Sequence, residues 1–168
     1  LGRIPNGDEA VRAAGMARAA GFDNFNMDLM HGLPDQSLED ALGDLRQAMD
    51  LGPTHLSWYQ LTVEPNTVFW NQPPELPEDD ILWDIQEAGQ ALMAEHGFRQ
   101  YEVSAYAQAG RAARHNLNYW RFGDFIGIGA GAHGKLTFAD GRILRTWKTR
   151  LPKDYLNLAK PFKAGEKL

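Results

Sequence analysis

The first half of the chain switches between two hydrophobic rhythms, one recurring every three to four residues and the other every second residue. From about residue 9 to residue 20, Val11, Ala14 and Ala17 or Arg18 turn through one helical face, with Asp8 placed to cap the start and Gly21 to end it. Residues 24–30 then alternate polar and apolar and run into His31-Gly32-Leu33-Pro34, the pattern of a strand leaving into a loop. Ser37 and Asp40 have the spacing of a capping box for a helix carrying Leu38, Ala41, Leu42, Leu45, Ala48 and Met49, closed by Gly52-Pro53. A second strand over 55–62 follows at once. Beyond a proline-rich excursion over 64–77, a long helix over about 78–95 buries Ile81, Leu82, Ile85, Ala88, Leu92 and Met93. Strands separated by amphipathic helices lie parallel, so these two belong in a parallel sheet or part of a barrel.

After Gly97 the rhythm changes. Residues 98–106 read as a strand, Gly110-Arg111 as a turn, and 124–129 as another short strand. Residues 136–138 pair with 143–146 across Asp140-Gly141, the dipeptide of a type I′ hairpin. This half is expected to be mostly antiparallel. Two domains are therefore expected, 1–97 and 98–168, with no internal repeat and no low-complexity segment.

Composition narrows the classes of function. With 168 residues, 43% of them hydrophobic, the chain can bury one ordinary core. Its net charge of -5 lacks the basic excess that phosphate neutralisation needs, which argues against nucleic acid as a partner. No apolar run approaches the roughly 20 residues that span a bilayer, and the N-terminal composition is not that of a signal or transit peptide, so a cytoplasmic location is expected. The absence of cysteine excludes disulfides and thiolate metal sites within these residues. The opening Leu1 and a tail without an obvious last element are those expected of a piece of a longer protein.

The densest chemistry lies in His115-Asn116-Leu117-Asn118-Tyr119-Trp120 and the run Gly127-Ile128-Gly129-Ala130-Gly131-Ala132-His133. A histidine, two amides and two large rings beside backbone free of side chains suit a flat, partly apolar ligand. Taken alone, a loop histidine is more often structural than a ligand. Of the other histidines, His96 sits at a helix C-terminus where the dipole favours it, His55 has no special warrant, and His31 and His133 are second choices to His115. Asp28 by itself is a strand-end residue bonding its own loop, Arg3 a surface arginine, and Trp58 and Tyr59 core aromatics. Tyr119 and Trp120 could equally anchor their loop. The glycine run lacks the strand-to-helix setting of a dinucleotide fingerprint.

Taken together, 1–4, 26–36, 56–67 and the His115 to Trp120 block resemble the radical-SAM, oxygen-independent coproporphyrinogen oxidase-like family, in matching order from Leu1 to about Thr149. The His-Asn-x-x-Tyr-Trp block is similar to the heme-binding signature of that family's heme-chaperone branch. The resemblance implies an α/β fold: the last two βα units of an incomplete parallel (β/α)6 barrel, followed by a mostly antiparallel α+β extension. It implies a [4Fe-4S] cluster whose cysteines have no counterpart here, with S-adenosylmethionine bound at its open iron. Arg3, Asp28 and Thr62 are the residues it points to for S-adenosylmethionine, Asp28 and Thr62 at the C-terminal strand ends where barrels present polar groups. His115 becomes the axial ligand to heme iron, with Tyr119 and Trp120 against the porphyrin. The implied function is heme binding and delivery to acceptor proteins. The alternative is a coproporphyrinogen III dehydrogenase using a deoxyadenosyl radical. No catalytic residue is assigned, and a chain without cluster cysteines is not expected to be active alone. With two of six barrel strands, the edge of the 24–30 strand should be bare and the isolated chain prone to self-association.

Overall fold

The computed structural model describes residues 7–157, which form two compact units divided between Ala113 and Arg114. The division falls further along the chain than the expected boundary after Gly97. Arg3 lies outside the described residues.

In the first unit, helix α1 (Gly7–Ala19) ends where Gly21 adopts φ 89°, its N–H bonding Arg18 O while Phe22 N–H reaches Ala17 O. Strand β1 (Asn26–His31) leads to helix α2 (Leu38–Asp50), whose start is the expected capping box. Asp40 N–H donates to Ser37 Oγ at 3.2 Å and Ser37 N–H to Asp40 Oδ2 at 3.0 Å. The Ser37 hydroxyl, which donates to Asp40 Oδ2 at 2.6 Å, and then the Ser37 N–H hold the Asp40 carboxyl below its usual pKa. Strand β2 (His55–Gln60) follows and pairs with β1 in parallel, Asn26 opposite His55 and His31 opposite Gln60. A feature the proline-rich stretch concealed is a one-turn helix α3 (Val68–Asn71), capped by Thr67 Oγ1 accepting from Trp70 N–H at 3.1 Å. Helix α4 (Asp79–Glu95) ends at His96, whose Nδ1 lies 2.9 Å from Leu92 O, so that nitrogen donates to a last-turn carbonyl that also receives the His96 backbone N–H at 3.3 Å.

The run 98–106 is not one strand. It folds into a hairpin of β3 (Arg99–Glu102) and β4 (Ala105–Ala107), with an irregularity between Gln100 and Glu102. The hairpin supplies the backbone partners that the outer side of β2 needs: β4 pairs antiparallel with β2 and the sheet order becomes β1-β2-β4-β3. Helices cover one face of this sheet. Ala41, Leu45 and Ala48 of α2 and Ile85 and Met93 of α4 enclose Leu56, Trp58 and Tyr106, with Met27 and Leu29 at the margin. The register leaves Asn26, Asp28 and Met30 on the other face, beside His55, Ser57 and Tyr59.

The second unit begins with helix α5 (Arg114–Trp120), where a loop was expected. Its end is built without a glycine in the left-handed position. Phe122 takes φ 56°, bonding Tyr119 O at 2.9 Å, while Gly123 N–H reaches Asn118 O at 2.7 Å. Strand β5 (His133–Thr137) pairs antiparallel with β6 (Ile143–Trp147), Leu136 opposite Leu144, and a short helix α6 (Pro152–Tyr155) follows. The hairpin is the expected one, but its turn is not type I′. Only Gly141 has positive φ, and its N–H bonds Phe138 O at 2.9 Å, so a type I turn is followed by a left-handed glycine in a three-residue loop. Residues 124–129 do not form a strand. One bridge, Phe125 to Lys135, replaces it, because Gly129 turns the backbone to φ 104°.

Candidate functional site

Unit 1 concentrates its chemistry on the sheet face that the helices do not cover. Asp28 lies mid-strand in β1, not at its end as expected, because the strand continues to His31 before Gly32 turns it at φ 68°. The exposed carboxylate accepts at Oδ1 from Asn26 Nδ2–H at 2.9 Å, leaving Oδ2 without a hydrogen bond among the described residues. The Asn26 oxygen faces His55 Nδ1 at 2.7 Å and accepts from Ser57 Oγ–H at 3.1 Å. His55 Nε2 lies 2.6 Å from the Tyr101 hydroxyl, which accepts from Ala113 N–H at 3.2 Å. His55 is buried, and burial lowers its pKa despite the opposing pull of the Asp28 and Glu102 carboxylates. The sequence reading passed over His55. Its signal was the alternation Asn26-x-Asp28 and His55-x-Ser57, which sets four polar groups on one face of paired strands.

Thr62 lies beyond the end of β2, exposed, with its hydroxyl donating to Glu64 Oε1 at 3.1 Å. It shares the unit with Asp28 but is tied to its own loop. On the covered face, His31 is 1% exposed and packs on Trp58, ring centroids 4.1 Å apart. Both its ring nitrogens and the Trp58 indole N–H are buried without a hydrogen-bond partner among the described residues. Burial lowers the His31 pKa to about 4, with the Gln86 side chain pulling it partly back.

Unit 2 brings together two of its three expected site residues. His115 and Tyr119, one helical turn apart on α5, are exposed and meet edge to face with centroids 4.8 Å apart; Tyr119 in turn lies 4.8 Å from Phe125. Trp120 is also exposed, but at one more residue it stands about 100° further round the helix. An exposed imidazole backed by aromatic rings fits a heme: it offers a lone pair to iron and apolar surface to a macrocycle. The glycine run is not a ligand cradle throughout. A Cβ on Gly127 would lie 2.2 Å from His133 O, so its bare backbone is used by β5. Beside it, a buried ammonium holds the unit together. Lys135 Nζ bonds Phe122 O at 2.8 Å, Asp124 Oδ1 at 2.9 Å and Thr137 Oγ1 at 2.9 Å, and sits 4.1 Å from the Phe122 ring centroid. These contacts oppose the strain of a left-handed aromatic residue. The bonds from Lys135 and Thr137 pull the Asp124 carboxyl down to about 2.

No family model matches the chain. Among curated proteins it is 65% identical over 156 residues to the heme chaperone HemW of Escherichia coli, covering 93% of this chain and 41% of that protein. The HemW of Haemophilus influenzae is 61% identical over the same shares of each chain. By sequence the chain is similar to the HemW proteins over the part of them that it spans. It spans about two fifths of the length of these relatives. The mouse mitochondrial radical S-adenosyl methionine domain-containing protein 1 matches at 37% identity over 80% of the chain and 31% of its own length. Among solved structures, the coproporphyrinogen III oxidase HemN of Escherichia coli, a radical SAM enzyme, superposes with a TM-score of 0.73 over 98% of this chain and 41% of that one. At 18% identity that likeness concerns the fold, and it assigns the HemW-like chain to part of the HemN α/β architecture.

Proposed function

We propose that this chain is part of a radical-SAM heme chaperone that binds heme and passes it to acceptor proteins in the cytoplasm. The observation that carries the reading is the exposed His115–Tyr119 pair on α5, within a chain 65% identical to a protein named as a heme chaperone. His115 is the axial ligand, and a heme iron supplies the open coordination position that a neutral imidazole fills. Tyr119 orients the imidazole edge and, with Trp120, offers ring surface to the porphyrin.

In unit 1, Asp28 holds S-adenosylmethionine. Its Oδ2, without a hydrogen bond among the described residues and on an exposed polar face, suits the amine or hydroxyl donors of that molecule. Arg3 and Thr62 are secondary candidates for the same ligand, with the Thr62 hydroxyl having to leave Glu64 to take part. The [4Fe-4S] cluster does not fit this chain, which has no cysteine, so its ligands come from elsewhere in the whole protein.

The test is a hemin titration of a protein extended to the length of its relatives, followed at the Soret band. Wild type should bind, and His115→Ala should shift the band and weaken binding by tenfold or more. Equal binding by both removes His115 as ligand. A protein that never binds heme but converts coproporphyrinogen in the presence of S-adenosylmethionine overturns the chaperone reading in favour of the dehydrogenase.

A further inference from the structure

With a neutral His55 ring, the hydrogen bonds of the uncovered sheet face among the described residues have one self-consistent set of donors. A carboxylate oxygen only accepts, so the Asn26 atom 2.9 Å from Asp28 Oδ1 is the amide nitrogen, and its oxygen must face β2. That oxygen also only accepts, so the His55 nitrogen 2.7 Å away, Nδ1, carries a proton. Burial lowers the His55 pKa and so favours the neutral ring, in which Nε2 is a bare lone pair and the Tyr101 hydroxyl at 2.6 Å donates to it. The tyrosine oxygen then receives the Ala113 N–H at 3.2 Å. Each proton position follows from the one before it, and the chain of bonds ends on the Asp28 carboxylate.

We infer that His55 is a positioning residue whose Nδ1–H tautomer, required by the Asn26 oxygen and supported by the Tyr101 hydroxyl at Nε2, clamps the Asn26 amide and through it sets the orientation of the Asp28 carboxylate. The inference rests on the reading of Asp28 as a ligand of S-adenosylmethionine. The clamp is needed because Asp28 is exposed and, among the described residues, receives one hydrogen bond, from a neighbour on its own strand. An asparagine without a fixed partner for its oxygen can turn that oxygen toward the carboxylate, an orientation that repels it. Ser57 bonds the same Asn26 oxygen at 3.1 Å, so loss of His55 weakens the clamp without abolishing it. A tether that merely joined β1, β2 and β3 would be indifferent to which imidazole nitrogen holds the proton; the clamp is not.

The test has two arms. In the folded chain, nitrogen-detected NMR of the His55 ring should show a protonated Nδ1 and a bare Nε2, and the Asn26 side-chain amide protons should exchange slowly. Tyr101→Phe, which removes a single hydroxyl, should let the Nε2–H form appear and speed that exchange. A ring protonated at Nε2 in the wild type overturns the proposal. In the reconstituted protein of full length, His55→Leu should weaken S-adenosylmethionine binding about tenfold, the effect of one lost hydrogen bond, while leaving hemin affinity unchanged. His55→Asn, whose amide mimics Nδ1–H, should restore most of the affinity. Binding as tight in His55→Leu as in wild type, alongside a loss in Asp28→Asn, overturns the positioning role. If Asp28→Asn itself binds normally, the cofactor reading fails instead. The clamp is then decided by the amide exchange: faster in His55→Leu and slow in His55→Asn upholds it, and no change in either defeats it.

Discussion

Adding one methyl group at Gly89 should do the opposite of what helix propensity dictates. An alanine Cβ there would lie 2.0 Å from Trp58 Cη2, 2.5 Å from Cζ3 and 2.8 Å from Cζ2. Trp58 is 2% exposed and neighbours His31 and Tyr106, so its ring has little room to withdraw. Overpacking of this kind costs about 3 kcal/mol at the upper end of its usual range, whereas replacing glycine inside a helix gains about 1 kcal/mol. The net expectation for Gly89→Ala is a loss on the order of 2 kcal/mol. The same substitution at Gly43 of α2, where nothing lies within 4 Å of the new Cβ, should instead gain about 1 kcal/mol. Urea unfolding followed by tryptophan fluorescence and circular dichroism measures both. In a Trp58→Leu background the Gly89→Ala cost should largely disappear, a coupling that a double-mutant cycle isolates. A higher unfolding midpoint for Gly89→Ala, matching that of Gly43→Ala, would refute the claim that α4 and β2 are in direct contact through a missing side chain.

Stability should also respond to pH through His31. Its folded pKa of about 4 lies below the unfolded 6.5, so its contribution is complete above pH 6.5 and falls away as the pH drops toward 4, by about 3 kcal/mol in all. Unfolding midpoints across that window should slope in wild type and flatten in His31→Phe; equal slopes would remove His31 as the source. For Asp124, whose carboxyl is held down to about 2, the benefit is present above the ordinary carboxylate pKa and lost as the pH falls through 2. Asp124→Asn should therefore remove that acid limb from the melting of unit 2 and destabilise it more than Lys135→Met, because it leaves a buried ammonium without its anion. Ser37→Ala should cost about 1 kcal/mol in urea unfolding, since the N-cap acceptor for Asp40 N–H is lost. Finally, β1 stands at the edge of its sheet among the described residues, and light scattering of the isolated chain should show self-association that a lysine at Met27 suppresses.

Several local signals were read correctly where one short stretch carries its own instruction, although the Asp140-Gly141 dipeptide closes its hairpin with a type I turn and not the expected type I′. Ser37 and Asp40 cap α2 because both halves of the capping box lie within four residues, and Gly21 ends α1 because only glycine takes that backbone angle without strain. The resemblance to the HemW-like family was equally local, residing in ordered runs of residues. What misled was context. Residues 98–106 carry enough β-forming side chains for one strand, yet the open edge of β2 draws them into a hairpin. Residues 114–120 became a helix although no cap or stop announced it, because the end that glycine usually provides is built from Phe122 and a lysine from β5.

The sequence alone determined the alternation of helix and strand, the parallel pairing of β1 with β2, and the candidates Asp28 and His115, because periodicity, caps and motif order act over a few residues. Only the tertiary structure decided that Asn26, His55 and Tyr101 form one chain of hydrogen bonds, that Tyr119 rather than Trp120 shares a face with His115, and that Gly127 is consumed by packing. Those relations join residues that are distant along the chain or depend on helical phase. They exist only once the sheet register and the turn of α5 are set, and no pattern of neighbouring side chains encodes them.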